Sequence, residues 1–175
     1  MKKQTKGLPQ RAHVPAEHTW DLSPLFKIDG SWRKALRKLE SQISGFDRFR
    51  GKLSSSPRIL RDCFVFESNF ERLAERVGSY AFLKASEDLG NSTYQGMVAE
   101  YTRVATRAEE AASFIAPEIQ AIPQKTIHRY LKSPLLRDFR FKLEKLLRFR
   151  PHILSEKEEL ILAMQGEVVG AMSRI

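Results

Sequence analysis

Apolar residues between positions 57 and 88 fall at Ile59, Cys63, Phe66, Phe70, Leu73, Val77 and Tyr80, in alternating steps of four and three. That spacing holds one seam on one face of an α-helix. Ser56 and Pro57 supply its start, a capping hydroxyl followed by a proline whose missing N–H costs nothing in the first turn. Gly90 is the expected stop. Ser92 and Gln95 then stand at capping-box spacing. A second seam runs through Tyr94, Val98, Tyr101, Ala105, Ala108, Ala112, Ile115, Ile119 and Ile122. Two helices of about 30 residues joined by so short a loop must lie antiparallel, each on the order of 45 Å long. The aromatic side chains of the first seam are expected to face the alanine-rich middle of the second.

Shorter helical patterns flank this hairpin. Residues 31–46 show Trp32, Leu36, Leu39, Ile43 and Phe46; residues 123–132 begin at Pro123; residues 134–149 follow Ser133-Pro134 and show Phe139, Leu143 and Leu146. Further on, Pro151 interrupts a basic run and Ser155 and Glu158 repeat the capping-box spacing. Leu160, Met164, Val168, Met172 and Ile175 then recur at helical intervals, although Gly166 and Gly170 each cost about 1 kcal/mol relative to alanine in a helix interior. Residues 1–30 lack a sustained period and read as an irregular N-terminal arm, anchored late through Trp20, Leu22, Leu25 and Phe26. Strand signals are nearly absent. The expected fold class is therefore all-α: a long antiparallel helical hairpin packed with shorter helices, in a helical domain covering residues 31–175.

The chain has 175 residues, 42% of them hydrophobic, enough for one domain with a real core. No run approaches a membrane span, and the opening MKKQTKGLPQ has no apolar stretch of signal-peptide length. No membrane partner and a cytoplasmic location are the expectations. A net charge of +9 raises nucleic acid as a partner, but the distribution changes that picture. Residues 1–60 carry 13 Lys and Arg against 5 Asp and Glu, residues 61–120 carry 6 against 10, and residues 121–175 carry 11 against 6. The stretches SWRKALRKLE and RDFRFKLEKLLRFR place charge opposite apolar stripes, as solvated helix faces do. No specific nucleic-acid binding is expected.

Candidate chemistry is sparse. The single cysteine, Cys63, sits within the apolar seam and is expected to behave as a small buried hydrophobe. None of His13, His18, His128 and His152 is followed by glutamate, so no H-E-x-x-H zinc helix exists in this sequence. His13, His18 and Asp21 are close in sequence, but an irregular arm has no spacing to aim them at a metal. His152 neighbours Glu156, yet Glu156, Glu158 and Glu159 fall in the first turn of a helix, where negative charge complements the macrodipole. No nucleophile elbow or phosphate-cradling glycine loop is present. No catalytic, cofactor-binding or metal-ligating residue is therefore assigned.

Five stretches together bring a family into view. HTWDLSPLF (18–26), FRGKL (49–53), LGNSTYQGM (89–97), IAPEI (115–119) and RPHILSEKEELILA (150–163) resemble, in order and approximate spacing, the N-terminal region of oligoendopeptidase F. That family comprises zinc metallopeptidases of the thimet-oligopeptidase type. The resemblance implies a helical N-terminal region that, with a catalytic domain, encloses a deep channel admitting oligopeptides and excluding folded proteins. It also implies zinc held by the two histidines of H-E-x-x-H and a downstream glutamate, with the motif glutamate activating water. This sequence ends before any such motif, so no catalytic residue carries over, and the chain alone is expected to be inactive and without a cofactor. The missing catalytic domain is the expected partner, and Ile175 reads as an interruption of the last helix. The competing reading is a stand-alone basic helical module that binds nucleic acid or presents its hairpin to a protein partner.

Overall fold

The computed structural model describes residues 13–148, and among them every regular element is helical. Short helices at Ala16–His18, Ile43–Phe46 and Pro134–Phe139 are wound as 3₁₀; α1 is Asp29–Gln42, α2 Pro57–Glu87, α3 Ser92–Ala112, α4 Ile115–Ala121, α5 Gln124–Leu131 and α6 Arg140–Arg148. The all-α class holds. The chain divides into two compact units, residues 1–115 and 116–175. The helix expected from Ser155 onward, with His152 and Glu156, lies outside the described residues.

The first unit is built on α2 and α3, which pack along each other, with α1 and the 3₁₀ turn after it laid against both. Ser56 caps α2 as its sequence promises: its hydroxyl accepts from the Ile59 N–H at 3.2 Å, and Pro57 follows. Phe46 brings the 3₁₀ turn onto α2, edge-on to Phe66 and Phe70 with centroids 4.9 and 5.3 Å apart. One polar contact inside this apolar core fixes the register of α1 on α2. The buried Trp32 indole N–H donates to the Val77 carbonyl at 2.8 Å. The arm is held by three linked groups: Arg76 donates to the Leu25 carbonyl and stacks on Phe26, whose ring stands edge-on to Tyr80, and the Tyr80 hydroxyl donates to Asp29 at 2.8 Å. Leu22 and Phe26 are buried as expected, whereas Trp20 is 70% exposed.

The hairpin departs from its sequence pattern in three places. Asn91, and not Ser92, caps α3, its side-chain oxygen accepting from the Thr93 and Tyr94 N–H groups at 3.0 and 3.3 Å. Gln95 turns outward from the supposed box to the Leu89 carbonyl. A Ser92 cap would have served the Gln95 N–H, which instead donates to the Asn91 carbonyl at 3.1 Å. Gly90 is not a left-handed helix stop, since the positive-φ residue among those described is Gly51 at 74°; α2 ends instead on an extended Asp88, whose carboxylate accepts from the Gly90 N–H. The long second helix is split. α3 ends at Ala112 and α4 begins at Ile115, because Pro117 would drive its ring into the Ser113 carbonyl if the helix ran on. The Ser113 hydroxyl meanwhile bonds back to the Glu110 carbonyl.

Burial shifts the seams slightly. α2 buries Cys63, Phe70, Val77 and Tyr80 as expected, together with Leu60, Phe64, Gly78, Ala81 and Ala85; α3 buries Met97, Val104 and Ala108, while Tyr94, Val98, Tyr101 and Ala105 lie at the edges. Large meets small in both directions. A Cβ on Gly78 would stand 2.5 Å from the Tyr101 ring, so this α2 glycine is the socket for an α3 aromatic.

In the second unit, α5 starts at Gln124, with Pro123 just outside it as the N-cap. Ser133 caps as expected, but six residues of 3₁₀ helix precede α6, beginning with a Leu136 N–H that reaches three residues back to the Ser133 carbonyl. Ile127 and Tyr130 of α5, Leu136 of the turn and Leu143 of α6 are buried.

Candidate functional site

The residues that could have carried chemistry are not assembled for it. His13 and His18 are exposed, and His18 lies 3.8 Å from the equally exposed Glu17. Both Asp21 oxygens are engaged by Ser23, through its backbone N–H at 2.9 Å and its hydroxyl at 3.0 Å, which hold the carboxyl below its usual range. That is a local turn, not half of a metal site. Among the described residues no group of three His, Cys, Asp or Glu could hold a metal ion, so the zinc implied by the family resemblance has no fitting ligand set there. Cys63 is fully buried, as its place in the seam implies. His128 is exposed on α5 beside Lys125, Arg129 and Lys132, a basic face around a shallow concavity.

Two further concavities lie in the first unit. One, of about 220 Å³, runs between α2 and α3 over a floor of Phe46, Phe70, Ala74, Ala105 and Ala108, with Glu67, Glu71, Glu109 and Tyr101 also lining it. Burial, then Glu109 and Glu75, push the Tyr101 phenol above its ordinary range. The groove exists because alanines oppose phenylalanines across the hairpin. It has the size and character to take a side chain with an apolar stem and a polar or cationic end, and it offers no nucleophile. The second, of about 280 Å³, lies between the arm and the last turns of α2, with Val14, Trp20 and Leu83 as apolar walls and His18, Ser86 and Glu87 as polar ones. Sequence periodicity missed this cleft because Trp20 belongs to the arm and Leu83 lies beyond the seam that ends at Tyr80. The aromatic residues in the arm were its one visible signal.

With this geometry in place, comparison with known proteins defines the class. A family model described as Oligopeptidase F matches residues 118–175. The oligopeptidase PepF of Bacillus subtilis is 32% identical over 98% of this chain, and the group B oligopeptidase PepB of Streptococcus agalactiae 30% identical over 92%. The chain spans only 26% and 27% of those two relatives. Among solved structures, oligoendopeptidase-F from Enterococcus faecium superposes with a TM-score of 0.66 at 27% identity over 82% of this chain and 29% of its own. A Chlamydophila abortus chain described as a peptidase shares the fold, with a TM-score of 0.82 at 22% identity over 94% of this chain and 28% of its own. The class is that of peptidase N-terminal helical regions. Within it, this chain corresponds to the N-terminal region of oligoendopeptidase F.

Proposed function

We propose that this chain is the N-terminal helical part of an oligoendopeptidase F-like zinc metallopeptidase and contributes a wall of the channel through which oligopeptides reach the catalytic centre. The observation that carries the reading is the match along 98% of this chain to a quarter of the Bacillus subtilis relative. Its α2–α3 groove supports it, because an apolar floor lined with carboxylates suits passing side chains better than it suits bond-breaking chemistry. In this reading the zinc and its activated water belong to polypeptide beyond the matched quarter, and the chain alone neither binds zinc nor hydrolyses peptides. The cytoplasm is the proposed compartment; no helix among the described residues is long and apolar enough to cross a membrane.

Two measurements test this. A hybrid in which this chain replaces the matched N-terminal region of the Bacillus subtilis relative should cleave unstructured oligopeptides and spare folded proteins. A well-folded hybrid without that activity would count against the channel role. The isolated chain, analysed for metals after purification, should carry no stoichiometric zinc and show no chelator-sensitive peptidase activity, and finding either would overturn the division of labour.

A further inference from the structure

The α2–α3 groove has carboxylates in its walls and no cation to answer them. Glu67 and Glu71 stand one turn apart on α2, Glu109 joins them from α3, and no lysine or arginine is among the described residues that line it. The arginines close by are engaged elsewhere: Arg103 and Arg107 on Glu40 of α1, Arg76 on the Leu25 carbonyl, and Arg50 on the Ala111 carbonyl and the Phe114 ring. Glu71 and Glu109 are exposed and form no ion pair among the described residues. Like charges one turn apart on a helix repel, and a cation between them would relieve that repulsion. A metal ion is not that cation, since no three acidic groups among the described residues converge closely enough to hold one. The floor of phenylalanine and alanine side chains suits an alkyl stem instead. Lysine and arginine combine the two needs, laying methylenes on apolar surface while the charged end stays with carboxylates and water.

We propose that the α2–α3 groove is a subsite for the side chain of an arginine or lysine in an oligopeptide, with its methylenes on the apolar floor and its charged end among Glu67, Glu71 and Glu109. The inference rests on the channel-wall reading above and adds a preference for basic residues in the passing peptide. Charge complementarity selects the occupant. A purely apolar side chain would take water from the carboxylates without replacing it, and an acidic one would be repelled. The attraction is local to the groove: the chain as a whole carries a net charge of +9 and repels cations, whereas residues 61–120, which supply the α2 and α3 walls, carry 6 Lys and Arg against 10 Asp and Glu.

Amide NMR spectra of the intact 175-residue chain, titrated with N-acetyl-arginine amide and with its citrulline and norleucine counterparts, test it. Citrulline keeps the stem and planar head without the charge; norleucine keeps the stem alone. The arginine amide should shift signals centred on residues 67–74 and 101–112, and both neutral analogues should bind severalfold more weakly. Glu71→Gln combined with Glu109→Gln should weaken arginine binding severalfold without lowering the thermal midpoint, because both side chains are exposed. Equal binding of the arginine and citrulline amides, shifts centred outside the groove, or undiminished binding by the double variant overturns the subsite whether or not the Bacillus subtilis hybrid cleaves peptides. Groove-centred, charge-dependent shifts support it even where the hybrid is inactive, an outcome that counts against the channel role alone. In an active hybrid, one arginine moved residue by residue along a neutral peptide should lower KM severalfold at one position with kcat little changed, and the double variant should abolish that gain. A KM indifferent to the arginine at every position overturns the preference for basic residues.

Discussion

Gly78 and Tyr101 show how one side chain can shape a helix pair. Alanine at 78 would gain about 1 kcal/mol of intrinsic helix propensity, but its Cβ would sit 2.5 Å from the Tyr101 ring, which also stands edge-on to Phe82. The clash opposes the gain. Gly78→Ala is therefore expected to be neutral or destabilising in the native background and stabilising by about 1 kcal/mol once Tyr101 is Ala. Urea unfolding of the four variants measures the difference, and the same effect in both backgrounds would show that the ring is not held there. Ionisation gives a second expectation. Burial, then Asp29, raises the Tyr80 phenol, and burial also raises Tyr101 and Tyr130. Because the unfolded tyrosines ionise near pH 10 while the folded ones hold their protons longer, their stabilising effect is complete below about pH 10 and is lost above it. Unfolding free energy should fall on that alkaline side, and Tyr80→Phe should flatten the fall.

The helix starts divide the legible from the illegible. Ser56 and Ser133 announced their caps correctly because each directly precedes a proline, which marks the first helical position. At α3 two capping residues are adjacent, and spacing favoured Ser92 where the backbone selects Asn91. Asn91→Ala should cost about 1 kcal/mol in thermal or urea unfolding and Ser92→Ala a few tenths at most; equal costs would restore the capping box. The α3–α4 break was hidden for a related reason. Ile115, Ile119 and Ile122 continue the apolar period, and a period records which face is buried, not whether the axis runs straight. Pro117 was the visible mark of the bend, three residues into the new helix, where proline is tolerated.

Taken whole, the molecule was legible in class more than in surface. Helical periodicity gave the hairpin, and the five stretches gave the family that the comparisons support. Neither could reveal the arm–α2 cleft, which brings Trp20 and Leu83 together across distant sequence by tertiary packing. Charge placement carries its own expectation. Glu40 of α1 binds Arg103 and Arg107 of α3, and Lys125 and Arg129 of α5 and Lys132 just after it are exposed. A basic surface without base-reading groups should bind DNA or RNA weakly, without regard to sequence, and lose nearly all binding by about 200 mM salt as counterions compete. Fluorescence anisotropy with unrelated oligonucleotides at two salt concentrations measures this, and selective binding that survives the higher salt would argue for the nucleic-acid module.

The two tryptophans make the chain its own optical reporter. Trp32 is sealed between α1 and α2 with its indole bonded to Val77, and Trp20 is largely open to water. Their emissions should differ in colour and in access to a collisional quencher, Trp32 blue-shifted and shielded, Trp20 red-shifted and readily quenched. A Trp20→Phe variant leaves a fluorophore that responds to loosening of α1 from α2, and a Trp32→Phe variant leaves one that responds to whatever covers the arm. One chain can thus signal its own unfolding and its capture by a larger body on separate channels, without an attached dye.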